Sequence, residues 1–242
     1  MTSLVQFRPH PGCDLVIASA PMLRAYQTIA AYQVEHGEIG LTKSGAWKRH
    51  CIDWVVRRMD FPNWTADKLY SVNKVLNEYD VPPLEYLRLL LTSLRLGRKM
   101  GGGWRLTKSG MALAGDPEAA YSTIAPAFLF RLDHTEGMRV GEAPVGDWGL
   151  WLNAIDKMPE DGFTLPDLAT FLYGHGLGGG WRGPAGGLFS AVAMPLEWIG
   201  LLTREGDGGI DEMIWRRTPL WAAGLEFRCQ AKSSNVVPFP SR

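Results

Sequence analysis

The side chains best suited to chemistry in this sequence are basic ones. In "LEYLRLLLTSLRLGRKMGGGWRLTK", Arg88, Thr92 and Arg95 recur at helical spacing, opposite a stripe of Leu84, Leu87, Leu91 and Leu94. Arg98, Lys99, Arg105 and Lys108 follow around a triple glycine. A guanidinium forks onto phosphate or a guanine edge, and an ammonium acts as a point charge for phosphate. These seven residues therefore predict contact with double-stranded DNA. Arg88, Thr92 and Arg95 would enter the major groove, while Arg98, Lys99, Arg105 and Lys108 would rest on phosphates. The competing reading is an ordinary solvated face.

Other motifs lead nowhere chemical. "GHGLGG" at 174–179 matches a dinucleotide-loop pattern, but a helical pattern precedes it where a strand is needed, so it reads as a connecting loop. "GGGWR" occurs at 101–105 and 178–182, and neither copy has the Lys-Ser/Thr of a phosphate loop. Its Trp104 and Trp181 read as rings folded back over their own units. His50 with Cys51, and His10 with Cys13, each offer two ligands where structural zinc wants four. Neither a metal nor a cofactor is expected. Ser44 and Ser109 read as helix-start residues, and Asp133-His134 in "RLDH" as a surface turn or interdomain salt bridge. No set of nucleophile, base and orienting group emerges, so the expectation is a protein without catalysis.

The scaffold behind these residues is 242 residues long, 46% hydrophobic and of zero net charge. The zero conceals a division. Residues 1–110 hold 15 Lys and Arg against 9 Asp and Glu, and residues 111–242 hold 10 against 16. The basic half could face an anionic partner, or the halves could attract each other. Apolar runs are too short for a bilayer span, and no signal pattern opens the chain. With cysteines only at 13, 51 and 229, a reducing, cytoplasmic setting is expected.

Periodicity and capping signals predict the elements. "APMLRAYQTIAAYQVEH" reads as a first helix, "IGL" as a short strand, and Thr42 as the cap of a helix in "KSGAWKRHCIDWVVRRM". Thr65 caps "ADKLYSVNKVLNEYD", whose Leu69, Val72, Leu76 and Tyr79 share a face, and "VPP" stops it. A helix from about Pro83 leads into a hairpin at "RKMGGGWRLT", and Thr107 then caps "KSGMALAG". Asp116-Pro117 opens another helix. A third block repeats the plan: a helix closed by Gly174, a second kinked at Pro195, and a hairpin in "TREGDGGIDEMIWRRT". Aligning "WRLT" with "WRRT" places Thr218 where Thr107 stands. The phrase Thr-Lys-Ser-Gly itself occurs twice, at 42–45 and 107–110.

Helix, helix, hairpin, helix is the order of a winged-helix unit. The predicted fold is mainly α with short β-hairpins, in tandem winged-helix-like units. Its expected divisions are an N-terminal arm and helical segment at 1–60, a basic unit at 61–140, an acidic unit at 141–229 and a disordered tail at 230–242. Glu205, Asp207, Asp211 and Glu212 make the second hairpin repellent to DNA.

The motifs "IGLTKSGAW", "LYSVNKVLNEYDVPPL", "GRKMGGGWRLTKSGMALAGDPEA", "FLFRLDH", "WGLWLNAI" and "MPLEWIGLL" with "TPLW" span roughly residues 39–221. On them the chain resembles the C-terminal region of the plasmid pRiA4b ORF-3-like family, bacterial proteins often found on mobile elements. The resemblance implies the fold and carries no reaction or catalytic residue with it. The sequence thus predicts a DNA-binding or regulatory protein. The alternative is a protein-interaction module whose acidic unit docks on a basic partner or on another copy.

Overall fold

The structure, a computed structural model, describes residues 5–7, 17–136, 138, 141–175, 180–206 and 208–227. The remainder of the arm, the loop residues 176–179, Asp207, Cys13, Cys229 and the tail lie outside the described residues. Short antiparallel sheets are set among helices, and no described helix is long and apolar enough to cross a membrane.

The first half opens with α1 (Pro21–His36), whose Leu23, Tyr26, Ile29 and Ala30 are buried at the expected spacing. Strand β2 (Ile39–Gly40) follows; β1 (Val5–Phe7) pairs elsewhere. After a loop come α2 (Arg49–Val56), α3 (Ala66–Val72), a single 3-10 turn at Glu78–Asp80, and α4 (Pro82–Ser93). The hairpin is β3 (Gly97–Met100) with β4 (Gly103–Leu106), and β2 adds to its far edge, Ile39 opposite Trp104 and Gly40 opposite Gly103. Helices α5 (Lys108–Ala114) and α6 (Pro117–Arg131) complete this half. Residues on both sides of position 60 therefore share one sheet, and Leu106 is clasped by the side chain of Gln33 on α1.

The second half runs α7 (Trp148–Asp156), α8 (Leu165–Tyr173), α9 (Pro184–Leu188), a π-helical turn at Phe189–Ala193, and α10 (Met194–Trp198). The hairpin β5 (Leu202–Glu205) with β6 (Ile214–Arg217) follows, then α11 (Pro219–Gly224) and β7 (Leu225–Phe227). Phe163 bridges to Trp215 as Ile39 pairs with Trp104, so the second hairpin strand meets β2 in the first half and a single bridging residue in the second. Strand β7 returns to pair with β1, Val5 opposite Phe227.

The repeat is clearest where helix meets hairpin. At the end of α4, Leu96 N–H donates to Leu91 C=O and Arg95 takes a left-handed conformation. At the end of α10, Leu201 N–H donates to Leu196 C=O around a left-handed Gly200. Each is a Schellman cap, which satisfies the last carbonyls of a helix. Thr107 N–H then donates to Leu96 C=O, and Thr218 N–H to Leu201 C=O. Both threonines cap the helix that follows: Thr107 Oγ1 accepts from Gly110 N–H at 3.1 Å, and Thr218 Oγ1 from Leu220 N–H at 3.2 Å.

Several sequence expectations are corrected. Thr42 caps no helix. It accepts from Ala46 N–H within a tight loop that bridges Leu41 to Trp47, and α2 begins only at Arg49. The repeated phrase thus has two structures. Gly45 supplies a left-handed turn, φ 87°, in the first copy. Gly110 supplies close approach in the second, where a Cβ would stand 2.0 Å from Leu96 C=O. Helix α3 stops at Val72, eight residues before the expected end, because Asn73 is extended and Nδ2 of its side chain donates to Leu69 C=O. Of the proposed face only Leu69 and Leu76 are buried; Val72 and Tyr79 are exposed. The irregularity in 184–198 is the π turn before Met194. Pro195 follows it after Met194, and because the residues ahead of it are helical, its missing N–H falls within the helical stretch, next to the π turn.

Candidate nucleic-acid interface

Hairpin β3–β4 is held by Trp104, whose ring crosses beneath Gly97; a Cβ there would meet that ring at 2.0 Å. Trp104 is buried, packs edge-on to Trp47 with centroids 5.0 Å apart, and donates Nε1–H to Thr92 Oγ1 at 3.0 Å. With Trp104 and Leu106 turned inward, strand alternation places Arg98 and Arg105 on the outer face, directly opposite each other. Like charges so placed repel unless an anion sits over them.

The seven predicted residues separate into two groups. Arg95, Arg98, Lys99, Arg105 and Lys108 surround the hairpin, and none of them makes an ion pair among the described residues. Arg95, Arg98, Lys99 and Lys108 are exposed and Arg105 half-buried. Arg88 and Thr92 make their contacts within the unit instead, Arg88 part-buried and Thr92 exposed. Arg88 Nε donates to Glu78 Oε1 at 2.6 Å, and the Glu78 side chain is 1% exposed. Burial pushes the Glu78 carboxyl above its ordinary value, against the pull of Arg88 and of a hydrogen bond from the Trp47 backbone. Removing Arg88 would strand that carboxylate, so this arginine is committed to the fold. Thr92, bonded to the Arg88 carbonyl and to Trp104, positions the hairpin. The exposed side of α4 carries the apolar Leu89.

Three further basic residues adjoin the hairpin. Leu41 N–H donates to Gly102 C=O at 3.3 Å, bringing the loop after β2 beside the hairpin tip. Beyond that loop stand Lys48, Arg49 and His50, all exposed. The run "WKRH" is their signal in the sequence, where periodicity reads it as part of a helix.

The second hairpin differs in charge. Arg204 lies over Phe189 and Trp215 and pairs with buried Glu197 at 3.2 Å, Arg216 pairs with Glu205 at 2.5 Å, and Arg217 donates to the carbonyls of Ile155 and Met158. Burial raises the Glu197 carboxyl, against Arg204 and a hydrogen bond from Asn63. The hairpin of the expected acidic unit therefore spends its three arginines, Arg204, Arg216 and Arg217, on partners within the chain.

Asp133 and His134 form no acid–base pair. Asp133 accepts from the backbone and hydroxyl of Thr135, which lowers its carboxyl. His134 is buried, bonded through Nε2 to the Phe128 carbonyl, and burial lowers it. Of the glycine-flanked tryptophans, Trp104 is buried, while Trp181 stays part-exposed beside Phe189.

Comparison with known proteins follows these two halves. Residues 18–119 match the Y4jL N-terminal domain and residues 138–219 the y4jL C-terminal domain. The uncharacterized protein y4jL of Sinorhizobium fredii (strain NBRC 101917 / NGR234) is 37% identical over 159 residues, 65% of this chain and 72% of the relative. The chain belongs to the y4jL family. These matches do not carry the pRiA4b ORF-3-like resemblance drawn from the motifs. The y4jL N-terminal match starts ahead of α1 and includes the whole first hairpin. No solved structure matches the chain.

Proposed function

We propose that this y4jL-family chain is a DNA-binding, regulatory protein of two winged-helix-like units, and that the first unit makes the contact. The observation that supports it is the set of Arg95, Arg98, Lys99, Arg105 and Lys108 around hairpin β3–β4, without ion pairs among the described residues. Unlike the sequence-based assignment, this one leaves out Arg88 and Thr92, so the contact is with phosphates and carries little base readout. Arg95 adds support. A left-handed conformation disfavours any side chain but glycine, the counterpart in the second half is Gly200, and yet an exposed arginine stands there. No reaction is assigned to the chain.

The test is binding to random-sequence duplex DNA across a salt series, for wild type and Arg98→Ala/Arg105→Ala. Each phosphate contact contributes about 0.9 to the slope of log K against log salt, so the variant should lose roughly 1.8. An unchanged slope, or no binding by wild type at low salt, overturns the reading.

One observation favours a second reading, protein docking or self-association through the second half: Val145, Leu150 and Phe171 are exposed there. A mass by light scattering that stays monomeric at all concentrations, with no partner needed for solubility, counts against it.

A further inference from the structure

The outer face of hairpin β3–β4 carries charge that its own chain leaves uncompensated. Arg98 and Arg105 stand opposite each other on it, and Met100, two residues after Arg98 and 38% exposed, shares that side next to the tip. A Cβ on either tip glycine, Gly101 or Gly102, would meet no atom within 4 Å, so the tip projects from the body of the first half. With Arg95, Lys99 and Lys108 around it, the hairpin gathers five cations, and none meets a carboxylate among the described residues. Glu38, just ahead of β2, stands over Gly103, where a Cβ would come within 2.8 Å of its carboxyl carbon, yet it too makes no ion pair among the described residues.

The second hairpin presents the opposite sign. Arg216 ties β6 to the turn ahead of α8: its Nε donates to the Asp161 carbonyl at 2.8 Å, and its Nη1 pairs with Glu205 at 2.5 Å. That turn lies against the strand, since a Cβ on Gly162 would touch Ile214 and Arg216. Glu160 and Asp161 are thereby brought beside the hairpin end that holds Glu205, Asp211 and Glu212. All five are exposed, and only Glu205 has an ion pair among the described residues.

Two surfaces of opposite charge and similar size thus belong to one chain and do not neutralise each other within it. A partner of fitting sign is therefore present in any solution of the protein. We propose that the acidic end of hairpin β5–β6 of one copy docks on the cationic face of hairpin β3–β4 of a second copy. The two faces differ, so the contact is heterologous: each copy keeps one free face of each kind, and assembly runs head to tail into rings or open chains. Opposed charges speed the encounter and fix the register, and Met100 adds apolar area beside Arg98. The inference rests on the self-association reading above and names its partner surface; it does not rest on DNA binding, although a duplex would contend for the same cations.

The experiment is sedimentation velocity of the full chain, free of nucleic acid, over a range of protein concentrations at about 50 mM and about 500 mM salt. At low salt the wild type should grow beyond the mass of one chain as concentration rises, and at high salt return to it. Arg98→Ala/Arg105→Ala should weaken association by about tenfold or more. Asp211→Asn/Glu212→Gln should do the same while keeping the side-chain acceptor for Gly180 N–H, and circular dichroism verifies that each variant is folded. The decisive sample is their equimolar mixture. Each variant retains the face that the other lacks, so the mixture should form a complex of two chains and nothing larger. A mixture no more associated than its parts overturns the proposal. Wild-type association that survives about 500 mM salt and both pairs of substitutions overturns it too, while leaving self-association through the apolar residues of the second half in place. A wild type still monomeric at low salt and about 100 μM overturns both.

Discussion

The two hairpins share a frame and differ in what they do with charge. In both, a Schellman-capped helix runs into a strand, a buried tryptophan sits mid-strand opposite a cation, and a threonine caps the next helix. In the first, Lys99 faces Trp104 across the pair and its neighbours stay unpaired; in the second, Arg204 faces Trp215 and turns down onto Glu197. Position 92 against position 197 accounts for this. A threonine there satisfies the tryptophan N–H, whereas a glutamate recruits the arginine and leaves Trp215 Nε1 without a partner among the described residues. One architecture can thus present cations or consume them, depending on one position in the helix that precedes the hairpin.

The sharpest way to break this comparison is to remove the arginine that each half keeps inside. Arg88→Ala should cost about 3–5 kcal/mol in denaturant unfolding by stranding Glu78, and Arg204→Ala should do the same to Glu197. The loss has a pH signature. Both carboxyls are held above their ordinary values, so the fold favours their protonated forms; that contribution is present at low pH and fades as pH rises through the carboxylate range. The variants should therefore approach wild type on acidification. A cost below about 1 kcal/mol at neutral pH would mean that neither pair matters.

Next in size are the glycines of the repeated phrase. Gly110→Ala drives a methyl into Leu96 C=O and should cost up to about 3 kcal/mol, against roughly 1 for Gly45→Ala, which only strains a turn open to solvent. Equal costs would erase the distinction between the two copies. Trp104→Phe should exceed Trp215→Phe by about 1 kcal/mol, since only the former loses a made hydrogen bond. Thr107→Ala should cost about 1 kcal/mol and Thr42→Ala a few tenths, because only Thr107 caps a helix. The smallest change has the opposite sign: Arg95→Gly should raise stability by about 0.5 kcal/mol while lowering the DNA salt slope by about 0.9.

What was legible in the sequence is what neighbours decide. Thr65, Thr107, Asp116 and Thr218 cap helices as their spacing predicts, because the bond they make reaches only two or three residues ahead. The hairpin tip was equally plain from its glycines. Thr42 misled for the same reason, since the local phrase is identical and the deciding contact, Leu41 with Trp47, depends on Trp47 reaching Trp104 in the core. Arg88 misled more. Helical spacing set it on the outer face, but Glu78, ten positions earlier, lies in a 3-10 turn that helical periodicity had merged into α3. Val72 and Tyr79 completed that false periodicity while standing in solvent.

The ribbon formed by β1 and β7 has a mechanical consequence. Val5 lies opposite Phe227 and Phe7 opposite Leu225, so whatever is joined ahead of residue 5 emerges beside whatever is joined after residue 227. Tension applied across those two exits would load the ribbon as a zipper, one pair at a time, and not in shear. Under a pulling force the ribbon would part first, with both halves behind it still folded.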